Sequence, residues 1–336
     1  MSLGRLAVTL PLPFLDARAC VALAQRCESE WGYEAIWLAE TNGHDSFSLA
    51  AAIALATERV EIGTAIVPVY NRTPVVLAMS AATVAQLAND RFVLGLGTSS
   101  HAIIEGWNGL SFDAPLSRVR ETVRVVRSAL AGERTRFVGR TLRSEGFRLG
   151  ALPAKPVRIY LAALRERMLE LAGAIGEGLV LNMMPARAMP RILDAYRRGG
   201  VEAERDASRD EVVARFQVAV TDGSAAANAR ARDMVRFGFS GYVATPVYNR
   251  FFRWIGHEAV AKDVLDAFRR GDRAGTSAAM TDAFVDDIAI IGDVATCRAR
   301  LAEFVAAGVT TPVLAPLAAS AEEAVGMLEA LAPARG

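Results

Sequence analysis

The stretch VRIYLAALRERMLELAGAIGEGLVLN, residues 157–182, decides the fold. Residues 157–161 and 178–181 are short apolar runs of strand length, and between them Met168, Leu171, Ala172 and Ile175 recur at helical spacing. A strand, a helix and a strand in so short a span form a crossover unit, which leaves the two strands parallel. Working outward, the same alternation runs through the chain. Strands are predicted at 6–10, 35–38, 60–67, 92–96, 157–161, 178–181, 215–220 and 311–314. Helical stripes such as Val119, Thr122, Val123, Val126 and Cys297, Leu301, Phe304, Val305 separate them. Eight strands alternating with helices predict an α/β protein of the (β/α)8 TIM-barrel class, with residues 1–336 as one domain.

Such a barrel needs about 250 residues, so a chain of 336 carries insertions. Two segments break the rhythm. Residues 133–149 read as a hairpin turning at Val138-Gly139-Arg140. Residues 240–286 hold Tyr242, Tyr248, Phe251, Phe252 and Trp254, followed by an amphipathic stretch over 257–270, and are expected to be helical and to cover the active-site mouth. A doubly wound two-domain protein is the competing architecture. Its dinucleotide-binding glycines are missing after the first strand, where Leu10-Pro11-Leu12-Pro13-Phe14 stands.

Apolar residues make up 52% of the chain and charged ones 22%, which excludes disorder and repetitive fibrous structure. Thirty-eight basic and 37 acidic side chains give a net charge of +1, so no cationic footprint for nucleic acid or an anionic membrane is expected. A small molecule is the expected substrate. No apolar run is long enough to span a bilayer and the first residues lack the pattern of a signal peptide, so a cytoplasmic location is expected. Cys20, Cys27 and Cys297 have no metal-ligand spacing; they read as core residues, and no metal site is expected.

In a parallel barrel the chemistry lies on the loops that leave the carboxyl ends of the strands. After the second strand comes Glu40-Thr41-Asn42-Gly43-His44-Asp45. Glu40 is there a candidate to bind a cofactor or handle a proton; alternatively it opens the next helix or pairs with a neighbouring loop. Asp45 reads as the cap of that helix. The fourth strand carries Gly95 and Gly97, which suggest a tight barrel interior or a flat ligand against the main chain, and opens into Thr98-Ser99-Ser100-His101. His101 is a candidate acid or base, or a partner of a loop carbonyl. His44 and His257 are weaker candidates. The fifth strand ends in Leu161-Ala162-Ala163-Leu164 and passes directly into Arg165-Glu166-Arg167-Met168, where free N–H groups and two arginines suit an anion as well as they suit a plain solvated turn.

Several ordered segments together resemble the bacterial luciferase-like superfamily, and within it the branch that uses the deazaflavin coenzyme F420. They are VEIGTAIVPVYNRTP (60–74), AMSAATVAQLANDRFVLGLGTSS (78–100), PLSRVRETVRVVRSALAGE (115–133), the 157–182 unit and DDIAIIGDVATCRARLAEFVAAGVTTPVL (286–314). The resemblance implies a barrel whose cofactor ring lies across the carboxyl ends of the strands, beside a bulged third strand with a non-prolyl cis peptide between Ala65 and Ile66. It implies that Glu40 holds the ring's polar edge or the substrate. Gly97, Thr98 and Ser99 would border the ring or its side chain, and Ala163, Leu164, Arg165, Arg167 and Met168 the cofactor phosphate. Two departures stand out: Arg165-Glu166 replaces a Gly-Pro pair of many relatives, and Ser100 replaces a glutamate of the sugar-phosphate dehydrogenases.

The function these features imply is hydride transfer between coenzyme F420 and a small organic substrate. A monooxygenase using reduced FMN and oxygen is the runner-up, and a non-catalytic flavin-binding relative the third reading. A homodimer is expected from the family; the helical face of Val75, Met79 and Ala82 could supply part of its interface, and packing of that helix on the barrel explains it equally.

Overall fold

The computed structural model describes residues 3–333. Its strands, in chain order, are β1 Ala7–Leu10, β2 Ala35–Leu38, β3 Glu61–Thr64, β4 Val67–Pro68, β5 Phe92–Gly97, β6 Arg136–Val138, β7 Arg143–Glu145, β8 Arg158–Ala162, β9 Gly178–Asn182, β10 Glu211–Val220, β11 Ala289–Gly292 and β12 Thr311–Pro316. Eight of them close a parallel ring in the order β1, β2, β3, β5, β8, β9, β10, β12 and back to β1. The chain is therefore a (β/α)8 barrel.

Three departures from the sequence reading have local causes. The run 60–67 is not one strand: it breaks after Thr64, where the Ala65–Ile66 peptide is cis, and resumes as β4 against Leu96 and Gly97. The strand expected at 215–220 starts earlier, at Glu211, because that carboxylate points into the barrel and is paired there. Strand β11 was not expected; it pairs with the carboxyl half of β10, Gln217 through Val220 facing Ala289 through Gly292, beyond the point where β9 ends.

Between β5 and β8, β6 and β7 form an antiparallel hairpin. Its turn is fixed by buried Glu121, whose carboxylate accepts from the N–H groups of Arg140 and Thr141, both at 2.8 Å, and from the Thr141 hydroxyl at 2.6 Å. After β10 the chain runs through helices Ala225–Ala244, Pro246–Trp254, Glu258–Arg269, Arg273–Ala278 and Asp282–Ile288. Tyr248 of the second of these accepts a hydrogen bond from Asn182 Nδ2 at 3.0 Å, so this helix lies at the carboxyl end of β9. Phe251, Phe252 and Phe284 are fully buried among these helices, and burying such rings stabilises by about 1.5–3 kcal/mol each.

The three cysteines are buried and free. Burial pushes the Cys27 thiol up to about 12 and that of Cys297 to about 11, so neither supplies a thiolate near neutral pH. On helix Pro74–Leu87, Met79 is exposed but Ala82 is buried against the barrel. Ala82 is thus unavailable to an intersubunit face, which corrects its place in the expected interface. Among the described residues no helix is long and apolar enough to cross a membrane.

Candidate active site

Alternation along the strands sorts the inward side chains into layers. At the amino-terminal end, Arg5 and Arg158 meet Glu61 and Glu211: Arg5 reaches Glu211 at 3.0 Å and Glu61 at 3.4 Å, Arg158 pairs with Glu61, and the Tyr160 hydroxyl donates to Glu211 at 2.7 Å. Arg5 also lies 3.7 Å from the exposed Glu34, so both cations are paired with carboxylates and this end is plugged. Above it Ala7, Ala35, Trp37, Val93, Tyr160, Val180, Val213 and Val313 form an apolar layer in which Trp37 and Tyr160 stack at 5.8 Å. Above that, at the carboxyl end, lie Ala65, Ile66, Ala162, Thr9, Asn182, Arg215 and Gln217.

Of nine buried polar side-chain atoms without a hydrogen-bond partner among the described residues, five lie toward this upper end, Ser46 Oγ, Asn71 Oδ1, His101 Nδ1, Asn182 Oδ1 and Gln217 Nε2, while Trp37 Nε1, Glu61 Oε1, Arg91 Nε and Thr122 Oγ1 lie elsewhere. Each costs free energy unless something bonds to it, so such a cluster at one mouth marks a place where a ligand completes the bonding. Left-handed backbone at the non-glycine residues Phe14, Ser99 and Met183, just beyond β1, β5 and β9, falls on the same rim.

Glu40 lies just past β2 with 13% of its side chain exposed. Arg72, on the loop after β4, donates one nitrogen to Glu40 and another to Asp45, and its guanidinium lies 5.2 Å from the Phe47 ring. The Ser46 N–H donates to the other Glu40 oxygen at 3.4 Å. Asp45 also caps helix Ser46–Ala56 through the Ser48 N–H at 2.8 Å. Arg72 was not singled out from the sequence; β2 and β3 are neighbours, so an acid after one strand and an arginine after the next were the available sign.

His101 precedes a π-helical turn, Ala102–Trp107, a feature frequent at functional sites. Its ring lies 4.2 Å from that of Phe112, which stacks on Tyr70 at 5.2 Å. No hydrogen bond joins His101 to Glu40; the loop carrying Tyr70 and Arg72 stands beside both. His44 is a tether, bonded to the Leu15 carbonyl at 3.1 Å, and His257 lies 3.1 Å from Asp287.

Gly97 faces Ile66 and Ala162 so closely that a Cβ there would stand 2.9 Å from Ile66 Cγ1 and 3.0 Å from Ala162 Cβ. Ala65, Ile66 and Gly97 therefore form one surface, bordered by the half-buried Thr98 and Ser99. Across the mouth, Arg165 stands at the start of helix Glu166–Ile175, whose first N–H groups lack helical acceptors. Among the described residues Arg165 makes no ion pair. Partial burial, and then the nearby charge of Arg250 from helix Pro246–Trp254, hold its guanidinium below its usual range. Glu166 is instead tied to Arg198 at 2.8 Å. Arg167 is exposed, Leu164 and Met168 are half-buried, and Ala163 is buried. Arg250 escaped the sequence reading because it stands far along the chain from Arg165 and nothing local marks it.

Comparison with known proteins agrees with this architecture. The family profile described as luciferase-like monooxygenase matches residues 4–311. A Mycobacterium tuberculosis protein provisionally named a coenzyme F420-dependent oxidoreductase is 31% identical over 317 residues, covering 87% of this chain and 88% of its own. The 5,10-methylenetetrahydromethanopterin reductase of Methanolobus tindarius is 26% identical, covering 96% and 98%. Among solved structures, the coenzyme F420-dependent tetrahydromethanopterin reductase of Methanopyrus kandleri superposes with a TM-score of 0.80 at 21% identity, covering 97% of both chains. Eight parallel strands, a break at Ala65–Ile66 and a family match over nearly the whole length lead to one assignment: the chain is an oxidoreductase of the luciferase-like family, similar within it to members named for coenzyme F420.

Proposed function

We propose that the protein transfers a hydride between coenzyme F420 and a small organic substrate bound at the carboxyl-terminal mouth of the barrel. The observation that carries this reading is the near full-length similarity to relatives named for that coenzyme, at 31% and 26% identity. Neighbours whose names point to flavin or to oxygenation resemble it in fold at 13–18% identity.

The residues present fit such a coenzyme. Ala65 and Ile66 are half-buried apolar residues at the mouth, with Ile66 packed close over Gly97, and suit the face of an apolar ring system. Arg165 and Arg250, two cations with no carboxylate partner among the described residues, stand near a helix start and suit the phosphate of its tail. When bound, the deazaflavin supplies the carbon that gives or takes the hydride. The chain's share is to hold the two reactants in register, exclude water beneath the helices of residues 240–286, and place Glu40 and His101 to hold or move the accompanying proton.

Titrating the purified protein with coenzyme F420 and, separately, with FMN, followed by fluorescence, tests the assignment. Saturable binding of F420 at least about tenfold tighter than that of FMN, a difference near 1.4 kcal/mol, is the expected result; the reverse order would assign the protein to the flavin users. Arg250→Ala should weaken F420 binding by about tenfold. The loss should shrink as salt rises, because exposed charges are screened. Unchanged affinity at low salt would remove Arg250 from the coenzyme site.

A further inference from the structure

Strand β10 turns Glu211, Val213, Arg215 and Gln217 in succession toward the barrel axis. The first belongs to the paired network at the plugged end, and the second to the apolar layer. Arg215, the third, donates from Nε to Thr9 Oγ1 at 3.3 Å and makes no ion pair among the described residues. Glu211, on the same face, is four residues away, roughly 13 Å along an extended strand, with Val213 between. Glu40, the acid at the mouth, is taken up by Arg72. Burial holds the Arg215 guanidinium below its usual range, with Tyr248 and Tyr242 working against that shift.

The immediate surroundings are polar but uncharged. Asn182, opposite Arg215 in the sheet register, spends Nδ2 on Tyr248 and leaves Oδ1 unpaired, while buried Gln217 leaves Nε2 unpaired. Tyr248 lies 5.8 Å from the Tyr242 ring and 6.1 Å from that of Phe252, so an aromatic wall stands over the same spot. A guanidinium has five N–H donors, and an uncompensated charge in such a place is expensive. The plugged end of this barrel shows that the fold can supply counter-ions to interior arginines. At the open end Arg215 has none among the described residues, and an unpaired amide donor, Gln217 Nε2, lies further along the same inward face.

We propose that Arg215 docks a carboxylate of the substrate, so that the reaction site takes a small organic acid with an apolar body. This rests on the mouth being the reaction site. The planar fork of the guanidinium matches a carboxylate in two parallel hydrogen bonds, Gln217 offers a further N–H, and the half-buried rings of Tyr242 and Tyr248 receive the apolar remainder. A neutral alcohol or amide of the same shape would leave the cation unpaired and bind more weakly.

The test uses the full chain with butyrate, benzoate and hydrocinnamate against butyramide, benzamide and hydrocinnamide, at constant ionic strength, by calorimetric titration and thermal unfolding. The acids should bind about tenfold or more tighter than their amides, the range expected when a charged hydrogen-bond partner is lost, and should raise the melting temperature. Arg215→Met should reduce that preference to within about twofold and melt no lower than the parent, because it removes an unpaired, half-buried cation. Arg215→Lys should keep part of the preference; it also serves if the methionine variant fails to fold. Equal binding of acids and amides by the parent, or binding of neither, overturns the proposal. So does an Arg215→Met variant that retains the acid preference, or one that loses F420 affinity about tenfold while the acids bind as before, which would give the guanidinium to the coenzyme. The coenzyme titration is run without carboxylates, so a parent that fails to bind F420 overturns the proposed cofactor independently of this outcome.

Discussion

Gly95→Ala should destabilise the protein by about 3–5 kcal/mol, a fifth or more of a typical total of about 5–15 kcal/mol. A Cβ on Gly95 would stand 1.7 Å from the carbonyl oxygen of Thr64 and 2.9 Å from its carbonyl carbon. Both are backbone atoms, so no rotamer change relieves the clash. Thr64 has little freedom to retreat. Its hydroxyl donates to the Gly95 carbonyl and accepts from the Gly95 N–H, both at 2.8 Å, and its backbone pairs with Leu38 on the other side. The strands must therefore part where β3 meets β5, directly below Ala65 and Ile66. Overpacking against side chains ordinarily costs about 1–3 kcal/mol; the contact with main chain puts this case above that range. Gly238→Ala, inside helix Ala225–Ala244 with no atom within 4 Å of the new methyl, is the control and should stabilise by about 0.5–1 kcal/mol. Urea unfolding of the three proteins decides the matter. A Gly95→Ala midpoint equal to the parent's would mean that the strands are not in this close approach.

Gly95 also illustrates what a sequence can and cannot convey. Two glycines within one strand suggest either a tight interior or a ligand against the backbone, and the structure separates the two: Gly95 meets Thr64, whereas Gly97 borders the surface of Ile66 and Ala162. The eight barrel strands were legible because parallel strands buried on both faces read as short continuous apolar runs between helical stripes. Periodicity carries no sign of a backbone break, so 60–67 read as one strand. Strand β11 went unread because Ala289–Gly292 continues the apolar pattern of helix Asp282–Ile288 without a turn residue between them. The interior charges Arg5, Glu61, Arg158 and Glu211 run against the expectation of an apolar barrel core, and only their mutual pairing explains them. In the site, residues at strand ends were legible individually, since position in the barrel implies exposure to the mouth. Their partners were not. Arg72 meets Glu40, and Arg250 approaches Arg165, through folding of loops whose sequence says nothing about direction.

Glu40→Gln should lower turnover by about 10²–10⁴-fold while the protein still folds and binds coenzyme. The amide keeps the volume and one acceptor oxygen for Arg72, which also retains Asp45, so the cost in stability should be modest, roughly 1–2 kcal/mol for a partly buried pair that is weakened rather than deleted. What disappears is the ionisable group. The opposing view is concrete in this structure: Glu40 is bonded to Arg72 and to the Ser46 N–H, and a carboxylate serving only to anchor that loop would change the rate by less than about twofold. Asp45→Asn separates the two. Asp45 shares the same arginine, but asparagine caps a helix as well as aspartate does, so this variant weakens the Arg72 contact without touching the carboxylate nearest the barrel. If Arg72 pairing alone matters, both variants should suffer alike; if Glu40 handles the proton, only Glu40→Gln should lose kcat. His101→Ala, measured in the same series, assigns the imidazole whose Nδ1 is buried without a partner. A Glu40→Gln variant that turns over like the parent would leave the proton to His101, to a serine hydroxyl of the 99–100 loop or to water, and would make the Arg72 pair a loop anchor.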